Sequence, residues 1–270
     1  LTVTAPQTPN YTIKHQTFDR SRGVFRAVVL GRSNGFDPRD PANGYILNLN
    51  GQVVVWDCPA YLNLHLERLK LDYKSVDAMI LSHVHEDHLD AVESLRDPPL
   101  DLWATPEVYY SLLVKLSALF GCSLEDAKRY HNWHRIEIGK SHEICGAHVE
   151  FFHSVHAIPA VGARMRCGVN GRSALLHISG DHLSKAALES LHEGKGMTDR
   201  RYHQMTALLK GDEDLVLMDA GGGAIHGDYR DYLDSERRIA FMHTGLIQEP
   251  LPPNMKLVES GEVLDVMGGW

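Results

Sequence analysis

The chain has 270 residues, 43% of them hydrophobic, and a chain of this size and composition can bury the core of one α/β domain. Its net charge of -8 argues against an extended nucleic acid as partner, because polyanion binding depends on clustered Lys and Arg. The sequence has no apolar stretch long enough to span a bilayer and no signal-like N-terminus, so a soluble protein without a membrane partner is expected; since the chain begins without Met, a trimmed leader stays open.

The cysteines and histidines point to a compartment and to a kind of site. The four cysteines are scattered without a Cys-x-x-Cys pair, which predicts free thiols in the reducing cytoplasm. The 17 His residues are an unusual number for this length, and a metal site is the economical explanation for part of them.

Hydrophobic patterning predicts the first elements in order. Residues 1–23 carry Pro and mixed polar groups and are interpreted as an N-terminal extension. A strand is predicted over 25–30, and a hairpin joins 45–49 to 53–57 through Asn50-Gly51, a dipeptide that favours positive φ.

An amphipathic helix and a buried strand come next. Apolar residues at helical spacing predict a helix over 62–69, with His65 expected on its exposed side. The run 78–81 is continuously apolar and predicts a buried strand. A further helix is predicted over 91–95.

Directly after the strand over 78–81 stands His-x-His-x-Asp-His, formed by His83, His85, Asp87 and His88. Imidazole nitrogens with carboxylate oxygens suit Zn²⁺, Mn²⁺ or Fe. Two His one residue apart can reach one ion, while Asp87 and His88 turn toward a second. The spacing therefore predicts two divalent metal ions. The alternative is a polar loop that is rich in His without binding metal.

These four residues resemble the signature of the metallo-β-lactamase fold superfamily of metal-dependent hydrolases. The surrounding motifs are most similar to those of ribonuclease Z and its cyclic-nucleotide phosphodiesterase relatives. The resemblance implies a four-layer αββα sandwich and a binuclear hydrolase, with zinc as the expected metal and Mn or Fe as alternatives. It covers about residues 24–245, which leaves 246–270 as a C-terminal tail.

A later imidazole is expected to complete the first metal's ligands, and either His153 or His156 is available. Alternation along the strand over 149–153 places His153 on the same side as Phe151, which favours a structural role. His156 lies beyond that strand, and its sequence His-x-Ile-Pro-Ala-x-Gly resembles the ribonuclease Z segment that carries a metal-binding His. We therefore favour His156.

The next hairpin is predicted to carry a carboxylate. Asn170-Gly171 joins the strands over 163–169 and 174–179, and Gly180-Asp181 follows the second strand. An Asp after Gly is usually part of a turn, but in the resembled family the equivalent Ser-Gly-Asp bridges both ions. The resemblance thus assigns Asp181 as the bridging ligand.

A strand over 215–219 ends in a glycine-rich segment. Glycine permits close approach of the backbone to a ligand, so Gly222 and Gly223 are predicted to contact substrate. His226 occupies the order of appearance of the ribonuclease Z His that assists proton delivery to the leaving oxygen. The local sequence departs from the family, which has His-Glu-Ala-Thr where this chain has His-Gly-Asp-Tyr.

The last predicted strand, over 238–242, delivers His243, which looks like the family's final metal ligand. The resulting hypothesis places one ion on His83, His85 and His156. It places the other ion on Asp87, His88 and His243, with Asp181 on both. Asp87 would also orient the nucleophile, and His226 would protonate the leaving oxygen.

The expected reaction is attack by a metal-bound hydroxide on a phosphorus or carbonyl centre. Ribonuclease Z inserts a long arm between the positions equivalent to His156 and Asp181, whereas this chain has a short hairpin there. A small phosphodiester such as a cyclic nucleotide is therefore the preferred substrate. Acyl hydrolysis of lactones or thioesters, an iron redox enzyme of the same fold and a non-catalytic ligand sensor are the alternatives, and a homodimer is left open.

Overall fold

The computed structural model describes residues 9–35, 37, 39–208, 210–244 and 247–270. Within these residues the chain forms fourteen strands. They are β1 Phe25–Gly31, β2 Gly44–Leu49, β3 Gln52–Trp56, β4 Ala78–Ile80, β5 Leu100–Ala104, β6 His131–Arg135, β7 Ser141–Ile144, β8 Ala147–His153, β9 Val161–Val169, β10 Arg172–Ile178, β11 Leu215–Asp219, β12 Ile239–Met242, β13 Met255–Leu257 and β14 Val263–Asp265. The α-helices of the described residues are α1 Leu62–Arg68, α2 Pro106–Phe120, α3 Leu124–Lys128, α4 Lys185–Glu193 and α5 Asp199–Leu208.

The described strands form two mixed sheets of seven strands each. The first sheet has the order β14-β1-β2-β3-β4-β5-β6, and the second has the order β13-β12-β11-β10-β9-β8-β7. In each sheet one half is antiparallel and the other is parallel, with β3 to β6 parallel in the first sheet and β10 to β13 parallel in the second. The carboxyl ends of the parallel strands carry most of the predicted site residues.

The main core lies between the two sheets. Leu47 and Val54 from the first sheet and Met165 and Leu217 from the second belong to one buried cluster. The outer face of the first sheet packs on α1 and α2, for example through Leu66 and the rest of a second cluster. Since α4 and α5 pair on the side of the second sheet, the architecture is the predicted four-layer αββα sandwich.

Both predicted hairpins are confirmed. The turn residues Asn50 and Gly51 have φ of 58° and 96°, and β2 and β3 pair antiparallel on either side of them. Asn170 and Gly171 have φ of 50° and 75° between β9 and β10. Positive φ at both central positions matches the twist of the flanking strands, which is why Asn-Gly selects this turn.

The helix predicted over 91–95 is wrong, since these residues form turns. The Asp90 carboxylate accepts hydrogen bonds from the backbone N–H groups of Val92 and Glu93, which caps a single turn. The Arg96 guanidinium then donates to the carbonyl oxygens of Glu93 and Leu95, groups that a continuing helix would use. Nearby side chains therefore satisfy the backbone N–H and carbonyl groups of this turn, and a helix does not continue from it.

The helix predicted over 62–69 is present as α1, but the prediction that His65 is exposed is wrong. His65 is fully buried, because the N-terminal segment passes over α1 and places Nε2 of His15 2.7 Å from Nδ1 of His65. The first part of the predicted extension, residues 1–8, lies outside the described residues, and residues 9–22 contain no strand.

The predicted C-terminal tail contributes to both sheets. Residues 255–257 form β13 beside β12, and residues 263–265 form β14 beside β1. The Arg238 guanidinium donates to the carbonyl oxygens of Asp265 and Val266, which ties this segment to the second sheet. The predicted boundary at 245 and 246 lies outside the described residues, so the division of the chain stays a prediction.

None of the helices in the described ranges combines the length and the apolar composition that crossing a bilayer requires.

Candidate metal centre

The ends of parallel strands from both sheets meet at one edge of the sandwich. Asp57 follows β3, and the segment that begins at His83 lies just beyond β4. From the second sheet, Asp181 follows β10, Asp219 ends β11 and His243 follows β12. Because the carboxyl ends of parallel strands gather at one edge, distant parts of the sequence supply one cluster of polar side chains.

Three imidazoles converge in the first half of this cluster. Nε2 of His83 lies 3.2 Å from Nδ1 of His85, which lies 3.0 Å from Nε2 of His156. Nδ1 of His85 can form one strong hydrogen bond, with either His83 or His156. The ring nitrogen of the other residue is then left without a partner. Ligands at 2.0–2.1 Å from a tetrahedral zinc ion are about 3.4 Å apart, so this spacing fits a cation among the three rings.

The second half of the cluster joins His88, His243 and Asp87. The Nε2 atoms of His88 and His243 are 3.2 Å apart, and Nε2 of His243 lies 3.1 Å from Oδ2 of Asp87. These donor atoms can all reach one ion. The two halves are therefore two adjacent groups of nitrogen and oxygen donors.

Asp181 lies between the two groups. Its carboxylate oxygens are buried and accept no hydrogen bond from the described residues. Imidazole nitrogens nevertheless surround them at 3.2 to 3.7 Å, from His83, His88, His156, His226 and His243. Burial raises the pKa of the Asp181 carboxyl, but His88 and His243 outweigh burial and hold the pKa well below its usual range. A buried carboxylate of this kind fits a bridging ligand for two cations.

The opposite ring nitrogens of three of these imidazoles have partners. Nδ1 of His83 lies 2.9 Å from Oγ of Ser82, and Nδ1 of His156 lies 3.0 Å from the carbonyl oxygen of Ile225. Nδ1 of His88 lies 2.8 Å from Oδ2 of Asp57. Such contacts set the ring orientation and leave the Nε2 atom for the ion.

Asp219 is a site residue that the sequence interpretation missed. Its carboxylate accepts hydrogen bonds from the backbone N–H groups of His182, Gly221 and Gly227, and lies 3.0 Å from Nδ1 of His226. Burial lowers the pKa of His226, but the hydrogen bond and charge of Asp219 outweigh burial and leave that pKa raised. The available signal was its position at the end of a predicted strand, the same position that identified Asp181 and His243.

The remaining predicted residues lie around the cluster. Gly222 and Gly223 both have φ of 70° and line a recess of about 310 Å³ beside His243, together with Asp228 and Glu249. His153 is exposed at the end of β8 and is absent from the donor groups found in the described residues. The geometry thus brings His156, rather than His153, to the other candidate ligands.

The donor set as a whole fits two divalent ions. The first group comprises His83, His85, His156 and Asp181, and the second comprises Asp87, His88 and His243. Neutral imidazoles with carboxylates are ligands for zinc, manganese or iron, so the donors alone do not select one metal.

Two curated relatives from Dictyostelium discoideum are similar to this chain. The cGMP-dependent 3',5'-cGMP phosphodiesterase A is 30% identical over 160 residues, which cover 58% of this chain and 18% of that protein. The cAMP/cGMP-dependent 3',5'-cAMP/cGMP phosphodiesterase B is 26% identical over 220 residues, which cover 80% of this chain and 20% of that protein. The chain thus matches about a fifth of the length of each relative, and the predicted kinship with cyclic-nucleotide phosphodiesterases is confirmed.

The fold and the family have independent matches. The metallo-β-lactamase fold protein YhfI from Bacillus subtilis has a TM-score of 0.66 and 15% identity, covering 90% of this chain and 100% of that chain, which confirms the predicted fold. A family model described as Anti-Pycsar protein Apyc1 matches residues 25–192. That match takes in more than half of the chain and includes the His-x-His-x-Asp-His motif and Asp181, and the chain therefore belongs to the Anti-Pycsar protein Apyc1 family.

Proposed function

We propose that this chain is a metal-dependent phosphodiesterase that hydrolyses cyclic nucleotides. The observation that carries the proposal is the buried Asp181 carboxylate, whose oxygens lie between two groups of imidazole and carboxylate donors. The names of the two Dictyostelium relatives, which act on cAMP and cGMP, support the substrate class.

The proposed ligands follow from the two groups. His83, His85 and His156 would hold one ion, Asp87, His88 and His243 the other, and Asp181 both. Two such ions would supply Lewis acidity and a nucleophile generated from water at neutral pH. We propose zinc as the metal, with manganese or iron as the alternatives that the same donors accept.

Asp87 and His226 have further proposed roles. Oδ2 of Asp87 lies 3.1 Å from Nε2 of His243, and the side chain is partly open to solvent, so Asp87 can orient the attacking water as well as bind an ion. Because Asp219 raises the pKa of His226, that imidazole stays protonated further toward neutral pH and can donate a proton to the leaving oxygen.

The surroundings of the site support a small substrate. The segment between His156 and Asp181 is the hairpin of β9 and β10, closed by a tight turn at Asn170 and Gly171. The net charge of -8 gives no broad attraction for a polynucleotide. Backbone at Gly222 and Gly223 borders the recess beside His243, where it can approach a substrate closely.

Hydrolysis of cAMP and cGMP by metal-quantified protein tests the proposal, with a thioester and a lactone assayed beside them. We expect cleavage of the cyclic nucleotides, and a loss of about 10²–10⁴-fold in Asp87→Asn protein that keeps its circular dichroism spectrum. Asp101→Asn removes an exposed carboxylate and serves as the control. Turnover of the acyl substrates alone would replace the proposal by acyl hydrolysis at the same site.

Two further predictions, on location and on chain organisation, stay proposals. All four cysteines are free, which supports a reducing compartment and thus the predicted cytoplasmic location. The hydrolase domain over 24–245 rests on the family resemblance, and a homodimer stays open.

A further inference from the structure

A groove of about 600 Å³ lies directly beside the proposed metal centre. The loop that follows β8 forms one wall, and the connection between α4 and α5 with the start of α5 forms the other. His156 belongs to both places, since its Nε2 atom lies 3.5 Å from Asp181 and its residue lines the groove. A substrate whose phosphate lies at the metals can therefore extend into the groove.

The polar part of the lining includes two side chains that can donate hydrogen bonds, Arg201 and Ser154. Arg201 is half-buried in the wall, and its Nη2 atom donates to the carbonyl oxygen of His153 at 2.7 Å. That bond holds the guanidinium in place and uses one N–H of the five. Ser154 is buried, and its Oγ atom has no hydrogen-bond partner among the described residues. Both residues line the groove.

The apolar part of the lining suits a flat ring. Val155, Ile158, Pro159 and Met197 contribute to the same groove. A pocket with apolar walls and a few fixed polar groups is the usual form of a small-molecule site. A planar heterocycle can lie between such walls while its edge meets the donors.

The charge of the lining distinguishes this groove from the recess beside His243. The groove is lined by the cation of Arg201 and by no carboxylate of the described residues, whereas the recess has Glu249 and has Asp228 ion-paired with Arg230. Arg binds acceptor pairs on one edge of a purine with its planar fork. The groove is therefore the better place for the part of a nucleotide that carries acceptors.

We propose that this groove is the subsite for the nucleoside portion of the substrate, and that Arg201 determines specificity by donating hydrogen bonds to the acceptor edge of the base. The proposal rests on the proposed cyclic-nucleotide phosphodiesterase activity. Two different parts of the site would then recognise the substrate. The metal ligands would bind the phosphate, and Arg201 with the apolar wall would bind the base.

The test compares Arg201→Met with Arg200→Met, which removes the exposed neighbouring arginine of the same helix. The substrates are cGMP, cAMP and methyl 4-nitrophenyl phosphate, a diester with no base. We expect kcat/KM for cGMP to fall by about tenfold or more in Arg201→Met, mainly through KM, and kcat/KM for cAMP to fall less, because guanine offers the acceptor pair N7 and O6 whereas adenine offers N7 beside a donor. Cleavage of the small diester should stay at its wild-type rate, and Arg200→Met should behave as wild type on all three.

The outcomes separate the two proposals. An equal loss of activity on all three substrates would show that Arg201 only supports the loop through His153. No loss of activity on any of them would show that the groove is not used. Either result would overturn the subsite. Wild-type protein that cleaves neither kind of diester contradicts the proposed function and the subsite with it.

A second measurement needs no variant. GMP should inhibit cleavage of the small diester at about tenfold lower concentration than ribose 5-phosphate, because only GMP places a base in the groove. Equal inhibition by the two compounds would overturn the subsite.

Discussion

Nδ1 of His88 lies 2.8 Å from Oδ2 of Asp57, and both side chains are buried. The same carboxylate accepts hydrogen bonds from the backbone N–H and the hydroxyl group of Ser82. Asp57 follows β3 and Ser82 precedes the first proposed ligand, so one carboxylate holds both ends of the His83 to His88 segment. The orientation of the proposed ligands thus depends on a residue that is not itself a proposed ligand.

Replacing Asp57 is expected to weaken metal binding. In Asp57→Asn, the amide cannot accept hydrogen bonds with both of its atoms, so His88 and Ser82 lose part of their support. We expect metal affinity to fall by about 10–100-fold, the usual cost of losing a partner of a ligand. Competition with a chromogenic chelator measures it, with Asp101→Asn as the exposed control. An affinity equal to that of the parent would contradict this role of Asp57.

Gly35 is expected to be required because its backbone lies against Asp87. A Cβ atom at Gly35, where φ is +79°, would lie 2.6 Å from Cβ of Asp87, whereas at Gly139, where φ is +78°, it would meet nothing within 4 Å. Gly35→Ala and Gly139→Ala should each lose about 1–2 kcal/mol of unfolding free energy from backbone strain. Only Gly35→Ala should also displace Asp87 and lower kcat, by about 10²-fold.

Urea denaturation and steady-state rates compare the two glycine variants directly. Similar kcat values for Gly35→Ala and Gly139→Ala would show that the contact with Asp87 has no bearing on turnover.

The His15 and His65 pair is expected to make stability depend on pH. Burial lowers the pKa of His15 to about 4, and burial with repulsion from His15 lowers that of His65 to about 3. Between pH 6.5 and 4 the unfolded chain therefore binds more protons than the folded chain, so the free energy of unfolding falls as the pH falls. Above pH 6.5 the pair contributes its full stabilisation.

His15→Leu/His65→Leu protein should lose less stability over the same interval, by about 2–4 kcal/mol. One pKa unit corresponds to about 1.36 kcal/mol, so the buried His65 accounts for about 2 kcal/mol, and the partly exposed His15 adds a smaller, solvent-screened share. Urea denaturation of both metal-free proteins at pH 6.5 and 4.5 measures the difference, and protonation of the proposed metal ligands contributes equally to each. Parallel losses in the two proteins would contradict the assignment.

Local patterns predicted much of the fold and of the site. The apolar runs and the two Asn-Gly turns gave the strands, and side chains at the strand ends gave His83, Asp181 and His243. The role of Asp219 depends on the N–H group of His182, which follows another strand, and the burial of His65 depends on the passage of residues 9–22 over α1. Such contacts between distant segments leave no periodic signal in the sequence.

The polar segment over 184–211 shows the same limit. Its residues are mostly polar, yet it forms α4 and α5, which pack together through Leu188 and Met205. These few apolar residues are enough to hold α4 and α5 together, because both helices contribute to one small hydrophobic cluster. The groove lined by Arg201 exists only in that arrangement.

The most direct test of a two-metal phosphodiesterase is a titration of metal-free protein with Zn²⁺, repeated with Mn²⁺, in which cGMP hydrolysis and bound metal are measured at each step. We predict that the rate stays low up to one ion per chain and rises as the ratio approaches two, because Asp181 and both donor groups must bind metal. A full rate at one ion per chain, or no cleavage of any phosphodiester at two, would contradict it.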